Sequence, residues 1–492
     1  MNHRIRGIAV LTATVLAFSA FAACGDSPDA KPAVTSSEVQ ADTTAEEIAV
    51  DPYDDELGQF DFDGYCFRVL SVTYDPSGTF TLFDSELNGE VLNDSLCIRN
   101  REIEERFNIA FEASEDGYDN CNKTLRSFVT AGEDAYDLVM LINRHAFADA
   151  LEGMLMPTSR LTYLNPDKPY YLKDINDALT IAGRSFFLYT EESVYTFERA
   201  ACLGFNLKLA DQYGLSDFYS MVRDHTWTQD VMYSSAQQVS SDLDGNSIYD
   251  KNDLYGLTGI SNYLFPSLYN LSGECTIAKD SDDIPYFNAI SSRRFAASIE
   301  RILSELDNGN YIYIDPNSTS DLNPIHKLFE SDQVLFLATV IGRLFAFREM
   351  ESNFGVLPFP LYDEKQEVYY TRVVDAWLHV CPITNADPER TSVIMEALAA
   401  GSAKYVFPAY YDKAVTQKVL RDEESVEMIE IIRRTRIIDL GECPWFETVR
   451  WPLEREVLYK RTAELSSFLA GIENSVNAVI EKAVTAAEAL EK

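Results

Sequence analysis

Histidine, paired cysteine and positive charge are what this chain has least of. Only five histidines occur in 492 residues, and beyond His3 they stand alone at His145, His225, His326 and His379. None of them belongs to a His-Glu-x-x-His helix, so a zincin-type metal site is excluded at the level of motif. No Cys-x-x-Cys pair exists, which removes the usual zinc and thioredoxin-like readings. A Gly-x-Ser-x-Gly elbow, a Gly-x-x-x-x-Gly-Lys phosphate loop and a Gly-x-Gly-x-x-Gly turn are missing as well. Lys and Arg number 41 against 79 Asp and Glu, a formal charge of -38. Phosphate backbones are bound by clustered cations that displace counterions, so nucleic acid is excluded as a partner. The same balance disfavours a strongly anionic ligand unless a local pocket departs from the global charge.

Of the eight cysteines, Cys24 belongs to the N-terminal segment and seven remain, at 66, 97, 121, 202, 275, 381 and 443. An odd number at scattered spacings is no disulfide framework. Cys202 and Cys381 lie in apolar runs and read as small buried hydrophobes.

What the chain does have begins with an export signal. Arg4 and Arg6 precede an apolar run over residues 8–23, too short for a comfortable membrane span, and the run ends Phe21-Ala22-Ala23-Cys24. A cysteine directly after small residues resembles the lipobox of bacterial lipoproteins. That resemblance implies a signal peptide over 1–23 and diacylation of Cys24, with palmitate-type chains as the membrane anchor. Residues 25–50 are rich in Ala, Ser, Thr, Asp and Glu without aromatics or periodicity, so residues 24–59 read as a tether.

Roughly 430 residues follow, too many for one core and enough for two lobes of ordinary size. With 46% hydrophobic and 12% aromatic residues the composition is that of a folded protein. Phe67 to Val72 reads as a strand, residues 93–107 as a helix with Leu96, Ile103 and Phe107 on one stripe, and 108–111 as a second strand. A helix over 121–131 and a nearly continuous apolar strand over 136–142 repeat the unit, which is βαβ with a parallel sheet. Ligands of such sheets gather at the carboxyl ends of the strands. That rule points to Tyr74 after the first strand and to Asn143, Arg144 and His145 after the third.

Residues 227–259 join a helix to an acidic loop. Thr228 is placed to cap a helix carrying Val231, Ala236 and Val239 on its apolar stripe. Asp242, Asp244, Asn246, Asp250 and Asp253 then occupy the first, third, fifth, ninth and twelfth places of a twelve-residue loop. That spacing turns oxygen side chains toward one hard cation, and the expected cofactor is a structural calcium, none being catalytic. Gly245 stands fourth and Ser247 holds the sixth place, where a left-handed turn favours glycine. Asp253 in place of Glu resembles the dockerin-type variant. The plainer alternative is a solvated turn closed by Asx hydrogen bonds.

Specific segments then carry a family resemblance. A strand ending Gly204-Phe205-Asn206-Leu207-Lys208 leads to an acidic helix ending Tyr213-Gly214-Leu215. Asp224-His225-Thr226-Trp227-Thr228 and the acidic loop with Leu254-Tyr255-Gly256-Leu257 follow. Later come Phe329 to Phe336, the stretch Phe354-Gly355-Val356-Leu357-Pro358-Phe359-Pro360, and Val380-Cys381-Pro382-Ile383 before a helix over 391–400. In this order, from about Phe60 to the C-terminus, they resemble the extracellular solute-binding proteins of bacterial ABC importers, in the carbohydrate-type, family 1-like subgroup. The resemblance implies an α/β, two-lobed periplasmic-binding-protein-like fold with an interlobe hinge and ligand cleft. It implies lobe 1 over 60–195 and 361–405 and lobe 2 over 196–360 and 406–492, with crossings near 189–197, 357–360 and 404–408.

On that reading the chain is not an enzyme. It is a monomer, lipid-anchored at the extracellular face of the cell membrane, that captures a small solute, foremost a sugar or oligosaccharide, for ABC permease subunits. Tyr74, Asn143, Arg144, Tyr263, Arg343, Asp375, Trp377 and Trp445 are the expected ligand contacts, because sugars take aromatic faces and planar polar groups. Trp377 has a second reading as a core residue. The rival classes are a secreted glycoside hydrolase using carboxylates such as Glu191, Glu192 and Asp375, and a cell-surface adhesion protein. The tail from Glu454 carries apolar residues at helical spacing and reads as a helix packed on the second lobe.

Overall fold

The structure, a computed structural model, describes residues 51–73, 82–83, 86–191, 194–215, 217–314, 322–416 and 423–489. Cys24 and Tyr74, singled out above, lie outside the described residues, as does Glu192.

Two sheets organise the chain. The first contains β1 (Tyr65–Val72), β2 (Ile109–Asp116), β3 (Leu138–Ile142) and a late strand, in the order late strand, β3, β1, β2. β1 runs parallel to both neighbours, with Tyr65 opposite Ile109 and Val69 opposite Leu138. The crossovers are α1 (Val91–Phe107) and α2 (Tyr118–Ala131), and α3 (Asn143–Leu151) follows β3 directly. All five residues of β3, Leu-Val-Met-Leu-Ile, are buried, as a strand covered on both faces requires. α1 ends on Asn108 at φ 50, a left-handed position that asparagine tolerates.

The second sheet contains β4 (Ala201–Asn206), β5 (Tyr255–Gly259), β8 (Ile312–Tyr313), β9 (Val334–Val340) and β10 (Phe354–Leu357), in the order β10-β4-β9-β5-β8. The short strands β6 (Ile277–Lys279) and β7 (Pro285–Phe287) form an antiparallel hairpin beside it. β5 is parallel to β8 and β9, whereas β4 is antiparallel to both of its neighbours. The helix Gln229–Val239 packs so closely on β5 that a Cβ at Gly256 would run into the Ala236 carbonyl. Thr228 caps that helix, its side chain accepting from Val231 N at 3.4 Å. Trp227, fully buried, packs its ring against Phe218 and Phe336 and donates Nε1 to Pro358 O at 3.0 Å.

The remaining strands are β11 (Thr371–Arg372), β12 (Trp377–Val380) and β13 (Arg436–Ile437). β12 is the late strand of the first sheet, antiparallel to β3, with Trp377 opposite Ile142. β11 pairs in parallel with β13, and Ala200 bridges Val373. The fold is thus two-lobed α/β, with residues 198–200, 371–376 and 436–439 lying where the lobes meet. The second passage comes later than residues 357–360. Leu361 still bonds Trp227 O, and the Tyr369 hydroxyl donates to Val222 O at 3.0 Å, so residues 361–369 stay with the second sheet. Near 404–408 the chain packs on α1 rather than crossing as a strand. The expected strand over 380–383 lies three residues earlier, in β12, because Pro382 ends the ladder.

The tail helix starts at Leu465 and packs on both α3 and β7, so it touches both lobes. The hairpin reaches back as well, since Ala182 N donates to Asp283 O at 3.0 Å. Cys202 and Cys381 are buried, at 0% and 2% exposure, as their apolar surroundings predict. No helix among the described residues is long and apolar enough to cross a membrane.

Candidate functional site

The carboxyl end of β3 delivers Asn143, Arg144 and His145 to the lobe junction as the first turn of α3. Asn143 N donates to Ala376 O at 2.9 Å, which ties this turn to the segment entering β12. Asn143 is fully buried, and its Oδ1 accepts from Arg144 N at 2.7 Å. Arg144 Nη1 then meets Asp375 Oδ1 at 3.0 Å, with both side chains retaining a little exposure, 18% and 15%. The guanidinium carbon lies 5.5 Å from the Tyr118 ring centroid and 5.1 Å from that of Phe446, so two aromatic rings lie within cation–π distance of it.

The second lobe reaches the same point through β5. Tyr263, in the helix Ser261–Tyr269 that follows that strand, is buried. Its hydroxyl accepts from Arg199 Nη1 at 3.4 Å, and Arg199 Nε donates to Val374 O at 2.7 Å. Asp375 itself has φ 47, a left-handed conformation that aspartate tolerates better than most residues. Burial works to raise its pKa, but the guanidinium groups of Arg450, Arg144, Arg199 and Arg372 outweigh burial and hold the carboxyl below the ordinary carboxylate range.

Behind this pair lies a buried charged layer. Arg372 pairs with Glu442 and donates Nη1 to Asn262 O at 2.9 Å. Arg450 pairs with Glu454 at 3.2 Å, donates Nε to Glu442 O at 3.0 Å, and donates Nη1 to Asn262 Oδ1. Asn262, one residue before Tyr263, therefore receives both arginines. The carboxyl of Asp439 accepts from Thr276 N, Thr276 Oγ1, Ile277 N and Gly441 N, pinning the hairpin strand β6 to the same turn.

Six of the eight expected contacts thus fall at this junction, although four of them are closed off. Trp377 is 5% exposed beneath the edge of Tyr118, whose ring centroid is 5.7 Å away and which is itself 39% exposed. Trp445 is 6% exposed and packs edge-on against Phe147 of α3 at 5.8 Å. Tyr263 and Asn143 are buried in the same layer. Trp377 takes its second reading, that of a core residue, because strand pairing to β3 turns its ring under α2. Arg343, in the turn Ile341–Phe347 after β9, makes none of these contacts among the described residues. Reading the sequence alone misses Tyr118, Arg199, Arg372, Glu442, Phe446, Arg450 and Glu454. The available signal is arginine inside apolar runs of an acidic chain, as in Thr371-Arg372-Val373-Val374 and Val449-Arg450-Trp451.

The acidic loop is a separate surface feature. Asp242, Asp244 and Asp253 bring one carboxylate oxygen each within 4.8 Å of one another. Asp253 is fully buried and accepts from Leu243 N and Asp250 N at 2.9 and 2.8 Å, while Asn246 Nδ2 donates to Asp244 at 2.8 Å. The hydrogen bond from Ser247 N, joined by that from Gly245 N, outweighs desolvation and holds the Asp242 carboxyl below its ordinary range. Ser247 takes φ 64 and Gly245 φ 70, so the sixth place is left-handed although it is not glycine. The donor set is one that hard cations take, three ionisable oxygens on a turn with the required left-handed step.

Glu191, considered above as a catalytic acid, is bound by Arg433 at 3.1 Å and Arg436 at 2.7 Å.

No protein-family model matches the chain, and no curated protein is similar to it in sequence. Solved structures do match its fold. An ABC substrate-binding protein of Listeria monocytogenes in complex with cycloalternan superposes with a TM-score of 0.56 at 13% identity, over 85% of this chain and 100% of that one. The extracellular solute-binding protein of Staphylococcus aureus in complex with maltose gives a TM-score of 0.58 at 13% identity, over 84% and 98%. A sugar transporter protein of Rhizobium etli in an open conformation gives 0.57 at 14%, over 84% and 100%. The chain therefore has the two-lobed fold of solute-binding proteins along nearly all of its described length.

Proposed function

We propose that this chain is an extracellular solute-binding protein that captures a sugar or oligosaccharide between its lobes and hands it to the permease of an ABC importer. One observation carries the reading. The carboxyl ends of β3 and β5, one in each lobe, meet the 374–375 segment through Arg144 and Arg199. A ligand placed there touches both lobes and interacts more strongly with the closed arrangement, which is how such a protein couples binding to docking. The sugar-bound neighbours of the same fold support the ligand class. Against the hydrolase reading, Asp375 is held ionised by four arginines, whereas a general acid needs its pKa raised.

The membrane location rests on the N-terminal sequence. Diacylation of Cys24 anchors the protein at the extracellular face, where the tether keeps it near the permease at high effective concentration. Asp242, Asp244 and Asp253, with Asn246 and Asp250 in the same turn, hold a structural calcium that braces the loop between the helix Gln229–Val239 and β5.

The test is a thermal-shift and calorimetric screen of the secreted chain against oligosaccharides, peptides and polyamines, followed by small-angle scattering with the best ligand. Binding of a saccharide without turnover, with a smaller radius of gyration on saturation, is the expected result. Turnover of the saccharide would make the protein an enzyme, and a screen in which only peptides or polyamines bind would overturn the sugar reading.

A further inference from the structure

The lobes also meet through a contact that uses none of the crossing segments. The tip of the β6–β7 hairpin, in the second lobe, touches a tight turn of the first. Glu274, just before β6, accepts from Asn288 Nδ2 at 3.0 Å and from Ser292 Oγ at 2.8 Å, so the base of the hairpin is closed where the helix Arg293–Asn308 begins. That helix belongs to the second lobe, its Phe295 ring lying 5.6 Å from that of Tyr269. The turn at residues 181–184 belongs to the first, since Phe186 just beyond it packs against Phe147 of α3 at 5.6 Å.

Hydrogen bonds join tip and turn. Ala182 N donates to Asp283 O at 3.0 Å. Lys279 Nζ donates to Thr180 O at 3.1 Å and to Asp177 O, carbonyls at the C-terminal end of the helix Lys173–Leu179, where a lysine is a favourable partner. Asp283 Oδ1 holds the same ammonium at 2.8 Å, so the lysine is aimed by its own hairpin. Both backbones are left-handed at the contact. Ala182 has φ 50 and Gly183 φ 69, in a two-residue turn closed by Ile181 and Arg184, and Asp283 has φ 63. Such a turn favours asparagine, aspartate or glycine at its first place, and alanine there is strained. Strain kept at a contact between lobes points to a contact with a task. The tail helix, packed on β7 and on α3, follows the same line from lobe to lobe and sets Lys482 3.9 Å from Glu152.

We propose that the hairpin tip is a clasp: Lys279, Ala182 and Asp283 hold the lobes together in the unliganded protein, and the clasp lets go when the cleft opens to admit or release solute. A hydrogen bond at 3.0 Å is lost within about 0.5 Å of separation, whereas rotation of one lobe about the crossing segments moves a contact beside them by more than that. The strength of the clasp therefore enters the balance between open and closed forms before any ligand arrives, and a ligand that favours the closed form acts on a balance already set. The gating role rests on the proposed function; the contact does not.

The test uses the secreted full chain without ligand. Small-angle scattering reads the separation of the lobes, and amide hydrogen exchange over residues 177–184 reads the contact. Lys279→Met is expected to enlarge the radius of gyration and to speed that exchange at least about tenfold, the effect of losing charge-assisted hydrogen bonds. Lys279→Arg, which keeps the charge and the donors, is expected to preserve most of both. Ala182→Gly takes φ 50 without strain and is expected to slow the exchange. Faster exchange at unchanged dimensions would make the contact a fraying surface turn and overturn the clasp. Exchange in the wild-type protein as fast as in an unstructured peptide would overturn it too. Should Lys279→Met fail to fold, Ala182→Pro, which has no N–H to donate and cannot take φ 50, is read in the same way. Because no ligand enters, a clasp found here stands even if no saccharide binds in the screen, and its failure leaves the sugar reading untouched.

Discussion

Arg372 and Glu442 form an ion pair at the lobe junction, 3% and 1% exposed, with the guanidinium also donating to Asn262 O. The pair joins strand β11 to the turn before Arg450, so it links the crossing segment to the layer behind the site. Removing one partner leaves a charge in a place that water does not reach. Arg372→Met is expected to destabilise the protein by about 3–5 kcal/mol, and the double variant Arg372→Met/Glu442→Leu to recover most of that loss. Urea denaturation of the three proteins checks it; a double variant no more stable than the single one would contradict a desolvation origin.

Trp377 is a second point where burial decides the outcome. With its ring under Tyr118 and its backbone paired to Ile142, Trp377→Ala opens a cavity in the first lobe. A loss of about 3–5 kcal/mol in the unliganded protein is expected. A fall in ligand affinity at unchanged melting temperature would instead place the ring in the ligand's path.

The stability of the protein should respond to pH in an unusual direction. Burial first, and the neighbouring Glu442 charge second, push the Asp439 carboxyl up to about 6 from an ordinary 3.8. Burial likewise pushes Asp149 up to about 6 against the pull of Arg126. A carboxyl whose pKa is raised on folding binds its proton more tightly in the native state. Its contribution is complete below the unfolded value and is lost as pH rises through about 6. Asp439 alone is then worth about 1 kcal/mol between pH 5 and pH 7, stability falling as pH rises. Below about pH 4 the opposite sign takes over, because carboxyls held ionised in the native protein, such as Glu430 at about 2 against an ordinary 4.5, are protonated first in the unfolded chain. Denaturation curves at several pH values check this, and Asp439→Asn must flatten the slope whatever it does to absolute stability.

Calcium is expected to raise the melting temperature, and a chelator to lower it, in wild type but not in Asp244→Ala. Equal melting of the wild-type protein in both conditions would leave the loop as a turn closed by its own hydrogen bonds.

Cys24→Ala should move the protein from the membrane fraction to the medium while its ligand affinity stays the same. A variant retained in the membrane fraction would contradict the lipid anchor.

The local grammar of the fold was legible in the residues themselves. The apolar run ending at Ile142 could only be a doubly covered strand, Thr228 had the side chain a helix cap needs, and Cys202 and Cys381 sat among apolar neighbours. Each of these follows from propensity or periodicity over a few positions, which is information the chain carries locally. Half of the candidate site was legible for the same reason, since ligands gather where strands end and Arg144 and Tyr263 stand just past β3 and β5. Tertiary structure alone decided which charges meet. Arg144 and Asp375 are 231 residues apart, and Arg372 and Glu442 are 70 apart. A charged side chain is neutralised, buried or left open by partners that no local pattern names. The same sequence run that made Trp377 a candidate platform placed it under Tyr118 once β12 had paired with β3. Propensity acts within a segment, whereas the field and the burial at the lobe junction come from segments that meet only when both lobes have formed.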